Sequence, residues 1–219
     1  MNKEKLRLYL VTDRGLALGR PLEEVVAKAV EGGVTIVQLR EKELDTRSFV
    51  ELATSLKALL APYGVPLIIN DRIDVALASG ADGVHIGQSD MPYAIARRLL
   101  GPDSIIGLSV ENQDEVLEAE ELDVDYIAVS PVYSTATKTD TAPPFGLEGL
   151  RKAVAATRHP VVAIGGMNRA TAGAVFESGA DGIAVVSAIM SAADPALAAR
   201  ELEKISEKSL EYDCKRQKN

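Results

Sequence analysis

NDRIDVALASGADGVHIGQSD, residues 70–90, carries one full step of the fold. Just before it runs the apolar Leu67-Ile68-Ile69, and within it lies a second apolar run, Gly83-Val84-His85-Ile86. Between the two, residues 73–78 read as a short helix. Ser79-Gly80-Ala81-Asp82-Gly83 then turns the chain, because a glycine after a helix takes the left-handed conformation that ends it and the next strand starts at once. Each strand exits through an acid: Asn70-Asp71 after the first, Gly87-Gln88-Ser89-Asp90 after the second. Two readings of these acids are open. Asp71 and Asp90 cap the helices that follow, at Ile73 and at Met91-Pro92, where proline suits a first helical turn. Alternatively, two strands deliver carboxylates to one place, as a metal requires.

The turn recurs along the chain. Ser178-Gly179-Ala180-Asp181-Gly182 repeats it before another apolar run, and Glu31-Gly32-Gly33-Val34 enters a third similarly. The echo marks αβ turns, in which Asp82 and Asp181 stabilise the turn rather than perform chemistry. Working outward, apolar runs fall at 6–11, 34–39, 67–69, 83–86, 105–108, 126–129, 161–164 and 183–186. Their near-continuous hydrophobicity suits strands of a parallel sheet buried on both faces. Helical patterns lie between them at 22–31, 46–60, 73–78, 93–100, 111–121, 147–157 and 170–177, with a last one at 196–205. In the first, Leu22, Val25, Val26, Ala29 and Val30 recur at helical spacing.

This alternation predicts an α/β fold, a single-domain (β/α)8 TIM barrel over residues 1–206. An open doubly wound sheet is the alternative, but no Gly-x-Gly-x-x-Gly turn follows the first strand. Residues 207–219 read as a polar, frayed tail.

Composition narrows the function. Hydrophobic residues make up 47% of the 219, enough for a buried core. A net charge of -8, with no basic domain, argues against nucleic acid as a partner. The opening Met1-Asn2-Lys3-Glu4-Lys5 lacks the apolar core of a signal peptide. No run approaches the roughly 20 apolar residues of a membrane helix. The lone Cys214 fits a reducing compartment. A cytoplasmic protein with no membrane partner is the expectation, and a homo-oligomer is compatible with it.

Polar residues collect where strands end, which is where barrels of this kind build active sites. Alternate residues of a strand share a side, so in Gln38-Leu39-Arg40-Glu41-Lys42 the side chains of Gln38, Arg40 and Lys42 point together. An amide with two cations forms an anion site, and Arg offers phosphate a bidentate fork. The competing reading is a strand-end ion pair with Glu41 or Glu43. Residues 133–140, Tyr-Ser-Thr-Ala-Thr-Lys-Thr-Asp, form either a solvated loop or a lid over an anionic ligand. Gly165-Gly166 and Val186-Ser187 follow the last two strands, a recurrent phosphate position in these barrels, although both also work as plain turns. His85 reads as a packed, hydrogen-bonded core group and His159 as a turn. Two histidines and one cysteine assemble no Ser–His–Asp triad and no His/Cys metal cluster.

The ordered set, from about Tyr9 to Ser187, resembles the thiamine phosphate synthase family. The carrying segments begin Tyr-Leu-Val-Thr-Asp, Gln-Leu-Arg-Glu-Lys, Ile-Ile-Asn-Asp, Val-His-Ile-Gly-Gln-Ser-Asp-Met-Pro and Gly-Leu-Ser. Ser-Pro-Val-Tyr-Ser-Thr-Ala-Thr-Lys, Ile-Gly-Gly-Met and Val-Ser complete it.

The resemblance implies coupling of 4-amino-2-methyl-5-(diphosphooxymethyl)pyrimidine with 4-methyl-5-(2-phosphooxyethyl)thiazole, or its carboxylated precursor. The products are thiamine monophosphate and pyrophosphate, formed by Mg2+-assisted loss of diphosphate and attack of the thiazole nitrogen. It implies that Gln38, Leu39, Arg40, Glu41, Lys42, Asn70, Ser109 and Lys138 hold the pyrimidine diphosphate, with Arg40, Lys42 and Lys138 catalytic. Asp71 and Asp90 bind Mg2+, while Thr135, Ala136, Thr137, Gly166, Val186 and Ser187 hold the thiazole phosphate. A related thiazole tautomerase shares the barrel and phosphate turns but needs neither the diphosphate cations nor the acid pair. A catalytically silent regulator that binds the same ligands would lack Lys138 or the acids, and this chain keeps all of them.

Overall fold

Eight parallel strands close on themselves in chain order, with the eighth beside the first, in a computed structural model of the chain. The structure describes residues 2–135 and 142–216, with side chains of the last helix described as far as Lys208. The strands are β1 (Leu8–Val11), β2 (Ile36–Leu39), β3 (Leu67–Asn70), β4 (Gly83–Ile86), β5 (Ile105–Val110), β6 (Tyr126–Val129), β7 (Val161–Ile164) and β8 (Gly182–Val185). Around them run α1 (Leu22–Glu31), α2 (Thr46–Leu60), α3 (Ile73–Ser79), α4 (Tyr93–Leu100), α5 (Gln113–Ala119), α6 (Gly146–Ala156), α7 (Ala172–Phe176), α8 (Ser187–Met190) and α9 (Pro195–Arg216). The expected (β/α)8 barrel is what the chain forms.

The strands separate two apolar layers. Outward residues such as Leu10, Val37, Leu39, Ile69 and Val84 pack under the helices, whose inner stripes include Val25, Val26 and Ala29 of α1. Inward residues fill the barrel itself: Tyr9, Ile36, Ile68, Tyr126, Ala128, Val162 and Ala184. Gly107 on β5 makes room for the largest of them, since a Cβ there would sit 2.1 Å from Cζ of Tyr126.

One device repeats at the N-terminal end of the barrel. The residue just ahead of each even-numbered strand ties down the start of the strand before it. Oδ2 of Asp82 accepts from the Leu67 N–H at 2.8 Å, Oδ2 of Asp125 from Ile106 at 2.9 Å, and Oδ2 of Asp181 from Val161 at 2.8 Å. Oγ1 of Thr35 does the same for Leu8 at 3.0 Å. In every case the backbone N–H of the clamping residue returns a bond to the clamped carbonyl. Lys57, Arg97 and Lys3 neutralise the three aspartates. Asp82 and Asp181 are turn residues, as their setting in the sequence predicts.

The differences from the pattern-based boundaries have local causes. The run at 6–11 becomes a strand only from Leu8, because Lys3–Leu6 forms a 3-10 turn that places Leu6 as a plug among the interior residues. Strand β2 starts at Ile36 because Thr35 is engaged as the clamp on Leu8. The stretch read as a tail is helical as far as Arg216. The short α8 has no counterpart in the predicted helices, and Arg20 closes its end by donating to the carbonyls of Met190 and Ala192 at 2.6 and 2.8 Å.

Candidate active site

The C-terminal ends of the strands surround a cavity of about 520 Å³, a volume usual for a small-molecule site. On one side β2 and the residues just after it supply Gln38, Arg40 and Lys42, the end of β3 supplies Asn70 and, one residue on, Asp71, and the loop after β4 supplies Asp90. Ser109 of β5 stands beside them, and Thr135, Gly166, Val186 and Ser187 line the cavity as well. Strand alternation decides who is absent. Leu39 is fully buried under the helices, and Glu41 turns away to a two-bond pair with Arg14. The side chains of Leu39 and Glu41 therefore do not reach the cleft, and the 38–42 segment contributes its alternate members. Ala136, Thr137 and Lys138 lie outside the described residues.

The cation side is built from the strand outward. Thr12, completely buried at the end of β1, accepts the Arg40 N–H on Oγ1 at 3.0 Å and so fixes where β2 stops. Among the described residues the Arg40 guanidinium has no ion-pair or hydrogen-bond partner. Lys42 donates to Oδ2 of Asp71 at 2.7 Å.

Neither acid caps a helix. The residue ahead of α3 is Arg72 and the residue ahead of α4 is Pro92, and neither terminus has a side-chain cap. Asp71 instead holds a left-handed backbone, φ 60°, while its N–H donates to the His85 carbonyl at 2.9 Å. Asp and Asn tolerate that conformation better than other non-glycine residues. Asp90 turns back over its own loop and accepts the Gly87 N–H at 2.8 Å. Burial raises the Asp90 carboxyl above the usual range, the Gly87 bond opposes this, and the hydrogen bond and negative charge of Asp71 raise it further. Two carboxyl groups within hydrogen-bonding reach disfavour joint ionisation unless a cation comes between them.

The donor set therefore fits Mg2+. Hard carboxylate oxygens are present, and among the described residues no cluster of three or more His, Cys, Asp and Glu forms. Mg2+ characteristically takes one or two carboxylates and leaves its other positions to water and phosphate oxygens.

A buried polar chain crosses the cavity floor. Nε2 of Gln38 donates to the Tyr9 hydroxyl at 2.8 Å, which lies 2.8 Å from the Tyr126 hydroxyl. The Tyr126 hydroxyl is 3.1 Å from Nδ1 of His85, whose Nε2 is 2.8 Å from Oγ of Ser109. Burial pushes His85 down to about 4, against the pull of the Asp71 charge, so the ring is neutral at neutral pH. Its partner behind Nδ1 is a phenol and not a carboxylate, so Ser109 belongs to no catalytic triad. The packed, hydrogen-bonded histidine expected from the sequence is what forms. Tyr9 and Tyr126 escaped notice because each sits inside an apolar run; their period-two register with Val11 and Ala128 is the signal that faces them inward.

Opposite, the glycine turn after β7 packs on the loop after β6. Val132 N–H donates to the Ile164 carbonyl at 2.8 Å and Tyr133 N–H to the Gly165 carbonyl at 3.2 Å. Gly166 has φ 69°, and a Cβ there would lie 2.8 Å from that of Tyr133. The glycine is thus required by the fold as well as by any ligand that approaches the backbone.

Barrel, acid pair and facing cations define a phosphate-handling enzyme of the (β/α)8 class. The profile of the family described as thiamine monophosphate synthase matches residues 8–189. The chain is 60% identical over 202 residues to the thiamine-phosphate synthase of Albidiferax ferrireducens, covering 92% of each protein. It is 52% identical to that of Syntrophomonas wolfei, covering 92% of this chain and 97% of the other. The solved thiamine phosphate pyrophosphorylase of Pyrococcus furiosus superposes with a TM-score of 0.88 at 45% identity, covering 95% of this chain and 98% of that one. The chain belongs to the thiamine monophosphate synthase family.

Proposed function

We infer that the protein joins 4-amino-2-methyl-5-(diphosphooxymethyl)pyrimidine to 4-methyl-5-(2-phosphooxyethyl)thiazole, or its carboxylated precursor, releasing thiamine monophosphate and pyrophosphate. The observation that carries this reading beyond family membership is the pair Asp71 and Asp90 set beside Lys42, with Arg40 in the same cleft.

The chemistry asks for little covalent help. The bond from the pyrimidine methylene carbon to the diphosphate oxygen breaks, both electrons leave with the oxygen, and the ring amino group stabilises the resulting cation by resonance. The thiazole nitrogen then supplies the pair for the new C–N bond. No side-chain nucleophile is needed, which matches a cleft where, among the described residues, no Cys lines the wall and the His85 beside Ser109 has no carboxylate behind it. Asp71 and Asp90 would hold Mg2+, which would supply neutralisation of charge on the leaving diphosphate. Arg40 grips phosphoryl oxygens bidentately and Lys42 and Lys138 act as point charges. Gln38, Asn70 and Ser109 hold the pyrimidine half, while Thr135, Ala136, Thr137, Gly166, Val186 and Ser187 hold the thiazole phosphate. The protein's contribution is charge stabilisation and alignment of two rings.

Incubation of the purified protein with both phosphorylated halves and Mg2+ tests the reading, with product followed as fluorescent thiochrome. Thiamine monophosphate should appear, and chelation of the metal should stop it. Isomerised thiazole with no coupled product would replace this reading with the tautomerase one.

A further inference from the structure

We propose that Gln38, Tyr9, Tyr126, His85 and Ser109 form a one-way hydrogen-bond relay, so that the cleft recognises an amino group at Gln38 and an anionic oxygen at Ser109 as a single linked event. The ligand half of this statement rests on the coupling reaction above; the relay itself does not.

The three middle members leave no freedom. Tyr9 is 1% exposed and Tyr126 is 0% exposed, so water does not complete their hydrogen bonds. Each phenol has one proton, and burial holds both well above the ordinary phenol range and therefore neutral. His85 is neutral and carries one N–H. Each of the three accepts from one neighbour and donates to the next, and any other arrangement leaves a buried donor or acceptor unsatisfied. Only two proton patterns remain, one the reverse of the other.

In the forward pattern Gln38 donates to Tyr9, Tyr9 to Tyr126, Tyr126 to Nδ1 of His85, and Nε2–H of His85 to Ser109. The Ser109 hydroxyl proton is then free to donate into the cleft, and the Gln38 carbonyl is left to accept from it. In the reverse pattern the amide turns over, its carbonyl takes the Tyr9 proton, and Ser109 gives its proton to His85. The cleft would then meet an N–H at Gln38 and lone pairs at Ser109. The amide stands with Nε2 on Tyr9, which is the forward pattern.

The ligand chemistry favours the same direction from both ends. A phosphoryl oxygen drawn in by Arg40 and Lys42 takes a donor at Ser109. A ring amino group offers a proton to the Gln38 carbonyl. Either contact holds the relay forward and so strengthens the other, and a ligand with a carbonyl in place of the amino group would pull it backward. Gly107 indicates that the device is built in, because a Cβ there would lie 2.3 Å from the Tyr126 hydroxyl oxygen.

The tautomer of His85 reports the direction. The chain has two histidines, so imidazole 15N spectra are assigned with a His159→Gln variant. The parent, free of ligands at neutral pH, should carry its proton on Nε2. Gln38→Glu replaces the donor by a group that only accepts, and the His85 proton should move to Nδ1, although position 38 touches neither ring nitrogen. Tyr126→Phe cuts the relay and should weaken binding of inorganic pyrophosphate with Mg2+ by roughly fivefold, the worth of one net hydrogen bond. A parent proton on Nδ1 overturns the proposal without any variant, as does a proton that stays on Nε2 in Gln38→Glu. A missing thiamine product would sink the function reading and leave the tautomer result standing.

Discussion

The two ends of this barrel are built from the same residue types to opposite purposes. At the N-terminal end, three aspartates each accept a backbone N–H and pair with a cation, so little polar capacity is left over. At the C-terminal end Asp71, on a left-handed backbone, pairs with Lys42 and Asp90 accepts the Gly87 N–H, but the two acids stand close enough for Asp71 to raise the Asp90 carboxyl, and among the described residues the nearby Arg40 has no partner. An aspartate whose backbone and cation partners leave nothing over stabilises the fold; two acids held side by side raise the cost of ionising both. The difference teaches that stability and chemistry occupy separate faces, as barrels of this class allow.

The largest break in this comparison should come from Arg40→Ala. With no side-chain partner to abandon among the described residues, the variant should keep its melting temperature and lose roughly 10²–10³ in kcat, the typical cost of one charge-stabilising donor. Single-turnover rates at saturating substrate check it. A clamp at the other end should answer in stability instead. Asp125→Ala strands the Ile106 N–H and removes the Arg97 ion pair, and chemical denaturation should show a loss of about 1–3 kcal/mol with kcat retained.

Gly166→Ala mixes the two responses, because that turn serves both packing and the ligand. Its left-handed φ alone should cost about 1–2 kcal/mol, and the apparent KM for the thiazole phosphate should rise more than that for the pyrimidine. An equal rise in both would confine Gly166 to a structural role.

The smallest effect is the most discriminating in sign. Burial and Asp71 raise the folded-state carboxyl of Asp90, so ionising it opposes folding of the metal-free protein. The penalty is absent below the ordinary carboxylate range, grows as pH rises through it, and is complete above the raised value. Asp90→Asn should therefore melt higher than the metal-free parent at neutral pH, by a margin that solvent screening of this part-exposed group keeps small. The gap should close in acid, and Mg2+ should raise the melting point of the parent only. Calorimetric scans across pH read all three.

Much of this arrangement is legible in the chain, and the limits are physical. Eight apolar runs and the Ser-Gly-Ala-Asp-Gly echo specify the barrel, because a strand buried on both faces needs continuous hydrophobicity and a helix end needs a left-handed residue. The echo exposes two clamps, Asp82 and Asp181. Asp125 performs the same task without flanking glycines, and Thr35 does so after Gly32-Gly33 with a hydroxyl in place of the carboxylate, so their equivalence emerges only in three dimensions. Helix α8, four residues long, is too short to display a helical period.

At the site, alternation separates Gln38, Arg40 and Lys42 from Leu39 and Glu41. The spacing of Asp71 and Asp90 leaves capping and metal binding equally open, and backbone geometry removes the capping reading, since Arg72 and Pro92 occupy the cap positions. The relay residues Tyr9 and Tyr126 look like core in sequence because their rings are core, packed edge to face, and only the contact between their hydroxyls is polar.

The most direct measurement of the separation between the two faces is a crossed pair of aspartate variants, Asp71→Asn and Asp82→Ala, each assayed for both kcat and melting temperature. Asparagine keeps the left-handed backbone at 71, gives up the exposed Lys42 pair and relieves the Asp90 carboxyl, two opposed small effects, so that variant should lose at least a hundredfold in activity and melt close to the parent. Asp82→Ala should melt lower by several degrees and turn over at the parental rate below its transition. Asp71→Asn with undiminished Mg2+-dependent turnover, or Asp82→Ala with a comparable loss of kcat while folded, would contradict the division of labour between the two ends.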